Sequence, residues 1–225
     1  LRGDIYDCNK NLLAGNTSFY EFVIYKNLNK NYLKEIKKIN SLIGLNLNID
    51  EIYKKLENFN PYSAYTISKA SWNQIVEFEK NKFLFTSIKI IESKKRFYPY
   101  KNLSQIIGYV GSSSDSSYLY PKGIFHIEKG YEKHLKGSPG KIFNEVNSKG
   151  KIVREISIEN PIKGKDLHLT INLELQNYNQ SLLPISNKGS IVIINRLDGS
   201  ILSMNSNPTF DAQIFEDKDL SLIHI

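Results

Sequence analysis

The segment IEKGYEKHLKGSPG at residues 127–140 is the stretch that most constrains the fold. Apolar side chains in and just before it recur at helical spacing: Ile124, Ile127, Tyr131 and Leu135. Gly137 and Pro139 then end the pattern, because neither residue continues a helix well. The segment therefore predicts a helix with one buried face, stopped by a turn.

Extended segments are predicted on both sides of this helix. Residues 4–14 and 17–26 have strand-like alternation around the turn-rich Gly15-Asn16, which predicts two strands joined at that turn. Leu167–Leu175 alternates leucine and isoleucine strictly with polar residues. That alternation predicts one strand with a single buried face.

A hairpin is predicted near the end of the chain. SIVII at 190–194 and ILSM at 201–204 flank Asp198-Gly199, a dipeptide that suits a tight turn with positive φ. The continuous apolar run in the first of these strands would need cover on both faces. Cover for one of those faces would have to come from outside these residues, so we expect residues 185–225 to be exposed, apolar and labile in hydrogen exchange.

Helices are predicted in the segment between residues 30 and 80. One set of apolar residues recurs at i, i+4, i+7 and i+11: Tyr32, Ile36, Ile39 and Ile43. A second set follows an acidic pair: Ile49, Ile52, Tyr53 and Leu56. Ser71 followed by Gln74 has the spacing of a capping box and predicts a third helix. Helices and strands together predict an α+β fold.

Composition limits the classes of function. The chain has 225 residues, 40% of them hydrophobic, and lacks both a secretory signal and an apolar stretch of about 18 residues. Its single cysteine, Cys8, excludes an internal disulfide and a cysteine-based zinc site. The net charge of +7 is typical of a solvated, lysine-rich surface. The alternative is a surface for anionic partners, but no nucleic-acid motif accompanies the charge.

Short motifs occur in a characteristic order along the chain: LRGDIYD at 1–7, RFYPY at 96–100, IIGYVG at 106–111, the segment at 127–140, EVNSKGKIVREI at 145–156, DLHLTINLELQ at 166–176 and DGSILSMNSNPTFD at 198–211. In this order they resemble the N-terminal half of a class B penicillin-binding protein, most closely the elongation type. The resemblance implies an elongated, non-catalytic pedestal, also called the dimerisation domain, at residues 1–165. It implies that residues 166–225 are the truncated start of a transpeptidase domain.

The resemblance also implies a cellular role. Such proteins cross-link peptidoglycan stem peptides at the periplasmic face of the bacterial inner membrane and determine cell shape. We expect an anchor helix upstream of Leu1, and as partners a membrane glycan polymerase, periplasmic scaffold proteins and the peptidoglycan precursor. β-Lactams would bind only with the missing catalytic domain. The unrelated last residues, DKDLSLIHI, favour a fragment or a frameshifted reading frame.

The residues that acyl transfer needs are not evident. Ser138 to Lys141 and Ser148 to Lys151 match Ser-x-x-Lys, but their glycines and proline disfavour the helix that the motif requires. Ser71-Trp72-Asn73 and Ser203-Met204-Asn205 match Ser-x-Asn, yet no Lys-Thr-Gly or Lys-Ser-Gly occurs. We therefore predict no catalytic residue and no acyl-transfer activity in this fragment.

No cofactor or metal site is predicted. Phosphate-binding glycine motifs do not occur, and His126 and His134, eight residues apart, lack a third ligand nearby. The resemblance instead implies a structural charge network of Arg2, Asp7, Arg96 and Glu128. Within it, we expect Glu128 to bond Arg2 or Arg96.

Two of the departures from the family pattern replace a glycine. Asp7-Cys8-Asn9-Lys10 stands where relatives usually have Asp-Arg-Asn-Gly, so a residue with a side chain, with Asn9 as the candidate, must take the turn. His126 stands where relatives have a glycine before Ile127-Glu128.

Two alternatives to the elongation-type fragment stay open. The chain could be a stand-alone, non-catalytic interaction module, or it could come from a division-type relative. A Ser-x-x-Lys in the coding sequence beyond residue 225 would distinguish the fragment from the module.

Overall fold

The structure is a computed structural model that describes residues 1–61, 63–112, 121–147, 152–183 and 188–217. The chain divides into two compact units. The first comprises Leu1–Thr17, Lys95–Glu145 and Arg154–Ile225, and the second comprises Ser18–Lys94 and Val146–Val153. The two units are described separately below.

Strands and helices alternate along the chain, which confirms the mixed α+β class. The strands are β1 (Ile5–Tyr6), β2 (Leu12–Ile24), β3 (Tyr65–Ala70), β4 (Ile88–Phe97), β5 (Val110–Ser112), β6 (Pro121–Gly123), β7 (Lys141–Val146), β8 (Ile152–Glu159), β9 (Leu167–His168), β10 (Gly189–Ile194) and β11 (Ile201–Asn207). The helices are α1 (Tyr32–Ile43), α2 (Ile49–Glu57), α3 (Trp72–Lys80), α4 (Ser104–Ile107), α5 (His126–Gly130), α6 (Glu132–Leu135), α7 (Leu173–Leu182) and α8 (Gln213–Asp217). Among the described residues, none of the helices has both the length and the apolar character that crossing a membrane requires.

The second unit packs α1, α2 and α3 around an apolar core. The later part of β2 pairs antiparallel with β3, and β4 also pairs with β2. The buried core residues come from these strands and from the apolar faces of the helices: Phe22, Ile24, Ile36, Ile39, Ile52, Leu56, Phe78, Phe85 and Ile88. The predicted helices from Tyr32 and Ile49 are confirmed, as is the capping box, in which the Ser71 amide donates to Gln74 Oε1 at 2.9 Å.

The first unit is organised around its N-terminal segment. β1 lies between two partners: it pairs antiparallel with the start of β2, Ile5 opposite Ala14, and parallel with β9, Ile5 opposite Leu167. Ile5 is fully buried in a core built from distant parts of the chain: Leu13, Ala14, Leu103, Ile107, Leu135, Ile171, Leu173 and Ala212. The first residues therefore hold together segments more than a hundred positions apart.

The C-terminal segment packs within the same unit. β10 and β11 form the predicted antiparallel hairpin, and Gly199 in its turn has φ +74°. Val192 and Ile194 on β10 are exposed, as expected, but Ser203 and Ala212 are fully buried. The expectation that all of 185–225 is exposed is therefore wrong for β11 and the segment after it; residues 184–187 and 218–225 lie outside the described residues.

Two predicted boundaries are also wrong. β2 runs through Gly15-Asn16, and the chain reverses earlier, in the turn that follows β1. The predicted strand over Leu167–Leu175 is short, because α7 begins at Leu173. The Asn172 side chain accepts the Leu175 amide at 3.0 Å, an N-cap that starts the helix.

Candidate functional site

A buried charge cluster joins three of the charged residues predicted from the sequence. Arg2 precedes β1, Arg96 lies near the end of β4, and Glu128 lies in α5. Arg2 Nε is 2.5 Å from Glu128 Oε2, and Arg96 Nε is 2.7 Å from Glu128 Oε1. The Glu128 side chain is fully buried, so one carboxylate bridges two guanidinium groups away from solvent.

A second carboxylate balances the charge of the cluster. Arg2 Nη2 is 2.7 Å from Glu132 Oε2 and donates to the Glu128 carbonyl at 2.7 Å. Arg96 Nη1 donates to the Gly3 carbonyl at 2.8 Å, and Tyr98 Oη approaches Glu128 Oε1 at 3.4 Å. Two cations therefore face two anions, with main-chain carbonyls as further acceptors.

The electrostatics keep Arg2 ionised. Burial alone would lower the pKa of Arg2, but the charges of Glu128 and Glu132, and the hydrogen bonds that they accept, raise that pKa above its ordinary value. A buried arginine paired in this way remains a cation. The cluster can tie the N-terminal segment to β4 and α5, but its groups are already committed to one another, which indicates a structural role.

Asp7, the fourth residue of the predicted network, has other partners. Its Oδ1 accepts the Asn9 and Asn11 amides at 2.8 and 2.7 Å, and its Oδ2 accepts the Leu173 amide at 3.1 Å. Asp7 therefore closes the turn after β1 and caps the start of α7, because a short carboxylate reaches nearby main-chain amides more readily than distant cations. Burial would raise the pKa of Asp7, but the hydrogen bonds from Asn11, Leu173 and Asn9 outweigh it and lower that pKa.

The lowered pKa of Asp7 predicts an acid-sensitive contribution to stability. Above the ordinary pKa of an aspartate, about 3.9, Asp7 is ionised in both states and its contribution is fully present. As the pH falls from there through the lowered folded-state pKa, the unfolded state takes up the proton first, and the contribution is lost. We expect the free energy of unfolding, measured by urea denaturation between about pH 6 and pH 2.5, to fall less steeply in Asp7→Asn than in the wild type. Parallel pH curves for the two proteins would contradict this.

Lys10 takes the strained position in the same turn, where Asn9 was the expected residue. Lys10 has φ +65°, in the left-handed region that favours glycine. We expect Lys10→Gly to raise the free energy of unfolding by about 0.5 to 1 kcal/mol. Glycine relieves the backbone strain, and this gain exceeds the entropy cost of ordering a more flexible residue. Lys10→Ala keeps the Cβ and is the matched control, expected to change stability little. The two variants would be compared by urea denaturation, and equal values for both would show that φ is not the cause.

Ser138 and Ser71, which match catalytic sequence patterns, both lie in structural positions. Ser138 lies in extended backbone and exchanges main-chain hydrogen bonds with Ile162, at 2.9 and 3.0 Å, while Lys141 begins β7. Ser71 is the N-cap of α3. Ser148 lies outside the described residues.

Ser203 belongs to a buried polar network that the sequence analysis missed. Ser203 Oγ accepts from Asn179 Nδ2 at 2.8 Å and lies 2.7 Å from Asn205 Oδ1. Gln176 Nε2 donates to the carbonyls of Asn102 and Met204, at 3.0 and 2.9 Å, and its Oε1 accepts the Met204 amide at 2.9 Å. The network joins α7 to β11. The i, i+3, i+6 spacing of Leu173, Gln176 and Asn179 was the available signal for a buried helical face.

A cavity of about 400 Å³ lies in the first unit, between α4–α5 and the segment that leads from β9 to α7. His126 lines this cavity, whereas His134 Nε2 lies 3.1 Å from the Asp166 carbonyl. The structure does not place these histidines on one helix, because α5 ends at Gly130 and α6 begins at Glu132. In the part of the chain that the structure describes, no three His, Cys, Asp or Glu side chains group as metal ligands would.

Comparisons with known proteins agree with the fold. The sequence matches the family of the Penicillin-binding Protein dimerisation domain over residues 1–169. It is 31% identical over 233 residues to the peptidoglycan D,D-transpeptidase MrdA of Haemophilus influenzae, an alignment that covers 96% of this chain and 36% of the relative. The peptidoglycan D,D-transpeptidase FtsI of Buchnera aphidicola is 32% identical, but over only 59% of this chain and 24% of the relative. The chain thus spans less than half the length of these curated relatives.

A solved structure shows the same fold. In the complex between the penicillin-binding protein PBP2 and MreC from Helicobacter pylori, the similar chain has a TM-score of 0.75 at 24% sequence identity. The similarity covers 96% of this chain and 42% of that chain. At this level of identity the comparison supports the fold, and the match over residues 1–169 carries the family assignment.

Proposed function

Because the chain belongs to the family of penicillin-binding proteins with a dimerisation domain, we propose that it is the N-terminal, non-catalytic part of a peptidoglycan D,D-transpeptidase of the elongation type. The match of residues 1–169 to that domain carries the proposal. The alignment with MrdA over 96% of the chain, against 59% with FtsI, favours the elongation type over the division type. The whole enzyme would cross-link stem peptides through a serine in a part that follows these residues in relatives.

Within this proposal, residues 1–165 are the pedestal and residues 166–225 begin the transpeptidase domain. The end of the family match at residue 169 supports that boundary. The start of the second domain packs on the pedestal through β9, which pairs with β1, and through Asp7, which caps α7. The pedestal would therefore hold the catalytic domain through the same N-terminal segment that the charge cluster secures.

The proposed place of action is the periplasmic face of the inner membrane, with the pedestal as a spacer and partner-binding module. A scaffold protein of the MreC kind is a candidate partner, since the similar chain from Helicobacter pylori was solved in complex with MreC. A membrane glycan polymerase is the second candidate, by analogy with the elongation role.

Labelling and binding experiments test the two parts of the proposal. The purified chain, incubated with a fluorescent penicillin, should carry no covalent label, whereas label at Ser138 or Ser148 would overturn the non-catalytic assignment. The scaffold protein from the same organism, immobilised on a sensor, should bind the chain. If it does not bind, the partner assignment is wrong.

The coding sequence beyond residue 225 should contain a Ser-x-x-Lys, and its absence would favour a stand-alone module.

A further inference from the structure

The cavity in the first unit has the size and lining of a small-molecule site. Its volume of about 400 Å³ lies within the usual range for such sites, which is roughly 300 to 1,000 Å³. Most of the wall is aliphatic, and it is formed by Ile106, Ile127, Leu169, Ile171, Ile201 and Met204. A wall of this kind binds an apolar group through burial of its surface.

Three of the polar residues in the lining are poorly suited to bind a charged group of a ligand. Thr170 Oγ1 donates to the Ile201 carbonyl at 2.7 Å, and Gln105 Nε2 donates to the Pro208 carbonyl at 2.9 Å. Tyr131 is half exposed. His126 is the only residue of the lining that can carry a positive charge.

His126 keeps a strained conformation at this cavity. Its φ is +49°, in the region where a side chain is disfavoured and glycine is not. The chain passes tightly against α4 here, since a Cβ on Gly108 would stand 2.2 Å from the Phe125 carbonyl oxygen. Among the described residues none forms a hydrogen bond with the imidazole, whose ring contacts that of Phe125 with centroids 5.6 Å apart. Strained residues of this kind concentrate at binding sites.

We propose that this cavity binds a small amphiphile that has one apolar chain and one carboxylate, with the chain against the aliphatic wall and the carboxylate on the His126 imidazole. The charge of the ligand follows from the lining, which offers a donor that can be cationic and no anionic side chain. An imidazole can present an N–H to a carboxylate in either protonation state. The site involves no residue of the buried charge cluster and does not depend on the proposed function.

The position of the cavity gives binding a structural consequence. One wall comes from Gln105, Ile106 and residues 126–131, and the other comes from residues 169–171, Ile201 and Met204. A ligand therefore contacts both sides of the proposed boundary at residue 165. It would stabilise their association, because it binds only when the two walls are together.

The test uses the single methionine of the chain as a reporter. Met204 lines the cavity, so a ¹³C-methyl methionine label gives one NMR signal from inside the site. Octanoate, 1-octanol and octylammonium share one chain length and differ in their head groups. Octanoate should shift the Met204 signal saturably and bind roughly tenfold more tightly than 1-octanol, because its carboxylate makes a charge-assisted hydrogen bond. Octylammonium should bind more weakly than either.

His126→Gly separates binding from folding. The substitution removes the imidazole and also relieves the strained φ, so the melting temperature should stay the same or rise, while octanoate affinity should fall to that of 1-octanol. His134→Ala, outside the cavity, should leave octanoate affinity unchanged. The proposal is wrong if the Met204 signal does not respond to octanoate, if octanoate binds no better than 1-octanol, or if a folded His126→Gly protein binds octanoate as the wild type does.

Discussion

Replacing Glu128 with alanine is expected to lower the free energy of unfolding by about 3 to 5 kcal/mol, the usual cost of removing one partner from a buried ion pair. Glu128 is fully buried between Arg2 and Arg96, so both guanidinium groups would lose their shared carboxylate. Urea denaturation at neutral pH measures the change. A loss below about 1 kcal/mol would show that the cluster does not secure the N-terminal segment.

Two further variants separate lost charge from lost packing. Glu132 is more exposed and contacts only Arg2 of the two arginines, so Glu132→Ala should cost less than half as much as Glu128→Ala. The triple variant Arg2→Met, Glu128→Leu and Arg96→Met replaces the charges by apolar side chains. It should recover most of the stability lost in Glu128→Ala, because no fully buried charge is left unpaired.

Replacing Gln176 with leucine is expected to cost about 2 to 5 kcal/mol. The volume is nearly conserved, but the Met204 amide and the carbonyls of Met204 and Asn102 lose the partner that satisfies them. Asn177→Leu, at an exposed position on the same helix, is the matched control and should stay within about 0.5 kcal/mol of the wild type. Equal effects of the two substitutions in urea denaturation would contradict a role for the buried network.

Periodicity predicted the second unit well because local signals decide it. The apolar residues of α1 and α2 recur at helical spacing in the sequence. Each helix buries its apolar face in the same core. The alternation over Leu167–Leu175 misled because it runs from the strand β9, which ends at His168, into the helix α7, which begins at Leu173. What ends the strand is Asn172, whose side chain caps α7, and Asp7, which is 166 positions from Leu173 in sequence.

The polar residues were harder to place than the apolar ones. Arg2, Arg96 and Glu128 could be grouped only through the family resemblance, since nothing local joins residues so far apart. Asp7 was misplaced, although two asparagines at two-residue intervals after it, Asn9 and Asn11, are typical of a carboxylate that closes its own turn. The two departures from glycine, Lys10 and His126, both have positive φ, so those positions keep a left-handed backbone without a glycine.

The position of β1 between two partners determines how the protein would respond to mechanical tension. Main-chain hydrogen bonds hold the first six residues: Gly164 N to Leu1 O, Gly3 N to Leu135 O, Leu167 N to Asp4 O and Leu169 N to Tyr6 O, all between 2.8 and 2.9 Å. A force applied at Leu1 along the strand would load these hydrogen bonds in shear. The bonds would then share the force and would not open one after another. A pull on the N-terminus would thus be carried into the body of the first unit, and extraction of the segment would require the Arg2 ion pairs to break in the same event.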